Sequence, residues 1–399
     1  MDRSTLAATA ARRYDIDALR VFAFGLLILY HVGMLYVTEW GWHVKSSYQQ
    51  EWLQVPMLVL NRWRMELLFL ISGLAVHFLR RGTPSRRGLV RERSLRLLLP
   101  LAFGMAVVLP IQAYCQGVTA GGIKPGFANF LPYYFTHAPN HYGLTWNHLW
   151  YLPYLWVYTL ILVGSMPLLE SAPGVRLRGR LASLRGLPLL FLPGLPLAVA
   201  AQLLQERFPE THELVNDWFN HAIYLTVFVY GYLIGTSPGL WQEFERLRRR
   251  SLAWAIFVGA AYLAMIRIPG DDGPAALDFG VRLCHWAYTW LALATVLGWG
   301  HHYLNRPFRW LPYATEAVFP WYILHQSLII GLAYVLMPLQ LGPWLEPALV
   351  LSGTVAGCLL LHELLIRRIG WLRPLFGVKP LKARAGRNIA LTAAAVPAE

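Results

Sequence analysis

Residues 16–37, IDALRVFAFGLLILYHVGMLYV, form an uninterrupted apolar run in which Asp17, Arg20 and His31 are the only Asp, Glu, Lys, Arg or His side chains. The apolar core of a bilayer takes about 20 residues of helix, so this stretch reads as a membrane-crossing helix. It is too long for the apolar segment of a signal peptide, and no cleavage-like motif follows, so it is expected to be a retained first anchor. Similar runs recur at about 55–79, 95–114, 148–169, 186–204, 218–236, 251–268, 280–303, 315–337 and 345–366. The chain is therefore expected to be an all-α integral membrane protein, a bundle of about ten transmembrane helices.

Composition agrees with that expectation. The 399 residues are 56% hydrophobic and only 14% Asp, Glu, Lys and Arg, where soluble domains carry about 25% charged residues. A net charge of +14 invites a nucleic-acid reading. The cations, however, sit in short clusters between apolar runs and not along one amphipathic face, so no nucleic-acid partner is expected. Cys115, Cys284 and Cys358 are far apart and match neither a disulfide framework nor a zinc-ligand spacing.

The basic clusters also orient the bundle. Arg80, Arg81, Arg86, Arg87, Arg91 and Arg93 precede the third run and Arg96 lies at its start, Arg176 to Arg185 follow the fourth, and Arg246 to Arg250 follow the sixth. Arg306, Arg309 and the Arg367 to Arg387 tail complete the set, whereas the alternate loops hold mostly Glu and Asp. Cytoplasmic segments retain Lys and Arg, so both termini are expected to be cytoplasmic. One polytopic domain is expected over 1–375, with a disordered cytoplasmic tail over 376–399. The loop at 115–147 is rich in Tyr and Trp, which suit sugar rings and equally the membrane interface.

Ionisable groups inside a span are costly and hence candidates for function. Arg20 and His31 are eleven residues apart, which sets them within about 20° of one helix face and about 16 Å apart along the axis. Asp17 can neutralise Arg20, and a snorkelling anchor is the plain structural account of that arginine. His31 is placed to take a proton from a hydroxyl. The second run holds Arg62, Arg64 and Glu66 before Ser72-Gly73. Glu66 either pairs locally with Arg62 or orients a histidine base, and Gly73 allows a close helix approach.

Further polar points are His148, Trp150 and Tyr151 at the start of the fourth run, His285 in the eighth, and Tyr322, His325 and Gln326 in the ninth. His137, His141 and His148 do not make a metal site by spacing, because Pro139 breaks the i, i+4 helical geometry of a two-His pair. No metal and no bound cofactor are expected. The chain also lacks a GxSxG elbow, a Walker loop and a GxGxxG motif, which argues against serine acyl-enzyme, ATP-driven and nicotinamide chemistry.

These motifs together resemble the membrane-bound acyltransferase 3 family, and within it the OpgC-like glucan succinyltransferase branch. Tyr14-Asp15-Ile16-Asp17-Ala18-Leu19-Arg20 with His31 looks like the family's Arg-x10-His signature. Glu66 to Gly73 resembles its acidic-Leu-Phe-Phe-x-x-Ser-Gly element, with Leu68 in place of an aromatic and Glu where Asp is common. Arg93 to Pro100, His148 to Pro153 and Phe319 to Gln326 are similar to three later signatures.

The resemblance implies transfer of an acyl group, succinyl or acetyl, from cytoplasmic acyl-CoA as co-substrate to a hydroxyl of an extracytoplasmic carbohydrate. It implies a multi-pass protein of a bacterial inner membrane, in contact with membrane lipid. Arg20, Arg93 and Arg96 would hold the CoA phosphates, His31 would be the base, and Glu66 and His325 would assist it. Ser72, His148, Trp150 and Tyr322 would line the acceptor pocket. A transporter or flippase of a lipid-linked sugar is the competing expectation, since intramembrane Arg, Glu and His also suit a conduction path.

Overall fold

The computed structural model describes residues 13–83, 85–268 and 275–380. Helices account for nearly all regular structure among the described residues, where a single isolated bridge joins Val37 to Gln50. Helix α1 is Tyr14–Met34 and α2 is Gln54–Gly82. The third run starts as α3, Arg86–Phe103, with the Ser85 hydroxyl accepting the Gly88 N–H at its N-cap. It widens into a π turn at Gly104–Val108 and resumes as α4, Pro110–Thr119; Pro110 has no N–H to continue the ladder.

The aromatic loop folds into α5, Phe127–Thr136, before α6, Tyr151–Glu170. Two short helices, α7 (Ala172–Ala182) and α8 (Gly186–Phe191), lead to α9, Gly194–Leu204. Helices α10 (Trp218–Gly235) and α11 (Pro238–Met265) meet at a 106° bend. The chain closes with α12 (Ala275–Leu304), α13 (Leu311–Leu336), α14 (Leu345–Leu361) and the short α15 (Leu372–Leu375).

All ten apolar runs fall largely on helix. Six helical segments among the described residues are long and apolar enough to cross a membrane, or seven if the bent α10–α11 pair counts as one. Helices α2 and α12 have 29 and 30 residues, about 44 Å each at 1.5 Å per residue, but are less apolar. Asn61, Arg62, Arg64 and Glu66 interrupt α2, and they line an internal cavity.

Close helix packing puts that polar face inside. A Cβ at Gly73 would lie 1.9 Å from the Phe228 carbonyl oxygen, and one at Gly231 would lie 1.9 Å from the Leu70 carbonyl oxygen. The crossing of α2 and α10 thus needs both glycines, as small residues serve in membrane bundles. Phe69, Leu70, Leu74 and Phe228 are fully buried there. Past residue 375, Phe376 and Val378 are buried as well, with Phe376 against Phe103. Residues 381–399, where most of the disordered tail is expected, lie outside the described residues.

Candidate active site

Histidine 31 lies on the inward side of α1 three residues before its end, and His325 lies midway along α13. The His31 Nδ1 and His325 Nε2 atoms are 2.9 Å apart, with the rings stacked at 7°. His325 Nδ1 lies 2.8 Å from the Tyr322 carbonyl and 3.1 Å from that of Trp321. Carbonyls only accept, so Nδ1 of His325 carries the hydrogen and its Nε2 accepts. His31 must then donate from Nδ1, which leaves its Nε2 lone pair as the basic atom.

His31 faces a cavity of about 1110 Å³. Trp42 stacks near the imidazole, with centroids 6.0 Å apart. His148 lines the same cavity and is 7% exposed; its Nε2–H donates to the Tyr322 carbonyl at 3.1 Å, while Nδ1 accepts from Gln112 at 3.3 Å. Tyr322 in turn donates its hydroxyl to the His148 carbonyl at 2.7 Å. These reciprocal bonds fix α13 against the start of α6 and hold the His325 ring beneath His31.

Glu66 and Arg64 also line the cavity, at 5% and 4% exposure. The Glu66 Oε2 atom has no hydrogen-bond partner, and neither do Nε and Nη1 of Arg64. His31 gives its hydrogen bond to His325, so the observed contact of the imidazole is not with Glu66. Trp150 forms another wall, its ring 4.1 Å from that of His212. The loop bearing His212 is tied down by Asp217, which is fully buried and accepts from the Tyr154 hydroxyl, Asn220 Nδ2 and Thr211 N–H.

The remaining expected residues lie behind this cavity. Ser72 donates to the Tyr151 hydroxyl at 2.6 Å, and that hydroxyl donates to the Leu68 carbonyl at 2.9 Å. Tyr151 lines the cavity with one side and lies within electrostatic range of Arg20 and Arg93 on the other. Arg20 is 3.9 Å from Asp17. Arg93 is 8% exposed, donates from Nε to Thr159 at 3.4 Å and keeps Nη2 without a partner. Arg20, Arg93 and Arg96 all lie close enough to repel one another. Three cations are thus adjacent, and one of them has an unpartnered N–H group.

Sequence reasoning missed His43, which comes from the loop after α1. Its Nδ1–H donates to Gln116 at 2.6 Å and its Nε2 accepts from Gln326 at 3.2 Å. Burial holds the His43 imidazole below its ordinary pKa, and the same holds for His212. No apolar run or spacing marked either residue. His137 stacks on Tyr133 at 3.6 Å and is exposed, so it does not converge with the buried His148. Among the described residues, no group of three His, Cys, Asp or Glu side chains is placed to hold a metal.

The chain matches the acyltransferase 3 family, described as an acyltransferase domain, over residues 13–363. It is 25% identical over 400 residues to "Glucans biosynthesis protein C" of Salmonella schwarzengrund, covering 93% of this chain and 96% of that protein. It is 26% identical over 401 residues to the protein of the same name from Escherichia coli O81, covering 94% of this chain and 97% of that one. No solved structure matches the chain. With the Arg20–His31 helix, the His31–His325 pair and a family match over nearly its whole length, this multi-pass helical protein belongs to the acyltransferase 3 family.

Proposed function

We propose that this chain moves an acyl group, succinyl or acetyl, from cytoplasmic acyl-CoA to a hydroxyl of an extracytoplasmic glycan. In this reading it crosses a bacterial inner membrane about ten times with both termini in the cytoplasm. The glycan class follows the name of the relatives. The observation that carries the reading is the His31–His325 pair, which leaves one imidazole nitrogen free at the wall of a large cavity.

The transfer is direct. His31 Nε2 takes the proton of the acceptor hydroxyl as its oxygen attacks the thioester carbonyl. The tetrahedral centre then collapses, the carbon–sulfur bond breaks, and the CoA sulfur leaves with the proton that His31 returns. A positioned base contributes about 10²–10⁴ in rate. The rest comes from holding two substrates together in a site shielded from bulk water.

Arg20, Arg93 and Arg96 would bind the CoA phosphates about 16 Å along α1 from the base. In this reading the pantetheine arm passes the hydrogen-bonded Ser72–Tyr151 pair, which would have to part for it. Trp42, Trp146 and Trp150 offer flat apolar faces for sugar rings in the cavity.

The test uses the purified full chain in sealed vesicles, with labelled acyl-CoA supplied on the arginine side and a glucan on the other. Label in the glucan supports acyl transfer across the membrane. Glucan crossing with the label still on CoA would favour a transporter.

A further inference from the structure

Arg64 is a cation in the cavity that the proposed reaction does not employ. It is 4% exposed. Its Cζ lies 3.6 Å from the centroid of the Tyr30 ring, and its Nη2 donates to Asn61 at 3.2 Å. Nε and Nη1 have no partner. No carboxylate among the described residues forms an ion pair with it. Glu66 attracts Arg64 but is also shared with Arg62 and opposed by Glu210. The field of Arg64 also reaches His31 and His325.

A buried guanidinium with two free N–H groups is costly unless an anion meets it. Its planar fork suits a carboxylate. Left unpaired, it also opposes the imidazolium that forms on His31 as the acceptor hydroxyl loses its proton. An anion bound to Arg64 removes that opposition, so occupancy of this position and the strength of the base are linked.

We propose that Arg64 is an anion subsite, whose free edge receives a carboxylate or similar anionic group carried by one of the two reactants while His31 takes the proton. This rests on acyl transfer being the reaction. The anion has two sources: the distal end of a dicarboxylic acyl group, or an acidic substituent on the acceptor.

Two matched comparisons separate them in the full-length protein in vesicles. One sets succinyl-CoA against butyryl-CoA with a neutral gluco-oligosaccharide. The other sets a neutral oligosaccharide against its uronic-acid counterpart with acetyl-CoA. In one of these pairs the unaltered protein should favour the charged member by about 10-fold or more in kcat/KM, the scale of one charge-assisted hydrogen bond. Arg64→Gln should bring that ratio close to one, and Arg64→Lys should keep part of it.

Indifference to charge in both pairs by the unaltered protein overturns the subsite, whether or not Arg64→Gln folds. So does an unchanged preference in a correctly inserted Arg64→Gln protein. Absence of His31-dependent transfer with every donor and acceptor is a different result, and it removes the acyl-transfer reading and the subsite together.

Discussion

His31 donates from Nδ1 to Nε2 of His325 across 2.9 Å, and the two rings lie 7° from parallel. The proton arrangement follows from the two carbonyls behind His325, so the direction of the His31 imidazole is set from α13 while its position is set from α1. In the proposed reaction His325 would be a positioning residue, since it touches His31 and is fully buried.

Replacing that partner should lower turnover without weakening donor binding. His325→Phe removes the acceptor for His31 Nδ1–H and frees the imidazole to rotate. The expected result is a fall in kcat of about 10–100-fold, part of what a positioned base supplies, with KM for acyl-CoA changed little. Steady-state kinetics that show a higher KM with kcat intact would assign His325 to substrate binding instead.

The arginine cluster should show the opposite split. Arg20→Ala is expected to raise KM for acyl-CoA by about 10-fold or more, the scale of a lost hydrogen bond to a charged group, with kcat largely retained. Binding of CoA measured by calorimetry should weaken in step. Unchanged CoA affinity would make Arg20 a membrane anchor held near Asp17.

The α2–α10 crossing predicts a stability effect away from the chemistry. In Gly73→Ala the new methyl meets a backbone carbonyl 1.9 Å away, which side-chain movement cannot relieve. A loss of about 1–3 kcal/mol is expected for such overpacking, read as a lower Tm in detergent. An unchanged Tm would mean that the two helices separate at little cost.

Acid should loosen the loop that carries His43. Its imidazole is held neutral by burial, so its folded pKa lies below the ordinary value, which is about 6.5. The unfolded chain therefore binds more protons as pH drops below that value. The stability tied to neutral His43 is fully present above about pH 6.5 and is lost as pH falls through the folded pKa. Tm measured from pH 7 to pH 5 should fall less in His43→Gln than in the unaltered protein, and equal slopes would contradict this.

The helical runs were legible because lipid selects long apolar segments, and α1 announced both Arg20 and His31 through one spacing. Helix α2 shows where that signal weakens: Arg62, Arg64 and Glu66 make it polar because they face a cavity and not lipid. His31 and His325 are 294 residues apart, and no pattern within either helix reveals that their rings stack. Glu66 was expected either to pair with Arg62 or to orient the histidine; the hydrogen bond of His31 goes to His325. His43 and His212 come from loops held by tertiary hydrogen bonds, so neither hydropathy nor helical period marks them.

The most direct measurement is single-turnover transfer of labelled acyl-CoA to a glucan acceptor by vesicle-inserted protein and its His31→Ala variant, with CoA binding measured on the same preparations. We expect the variant to insert and bind CoA while transfer falls by about 10²–10⁴ or below detection. Transfer at the unaltered rate by correctly inserted His31→Ala protein would contradict His31 as the base.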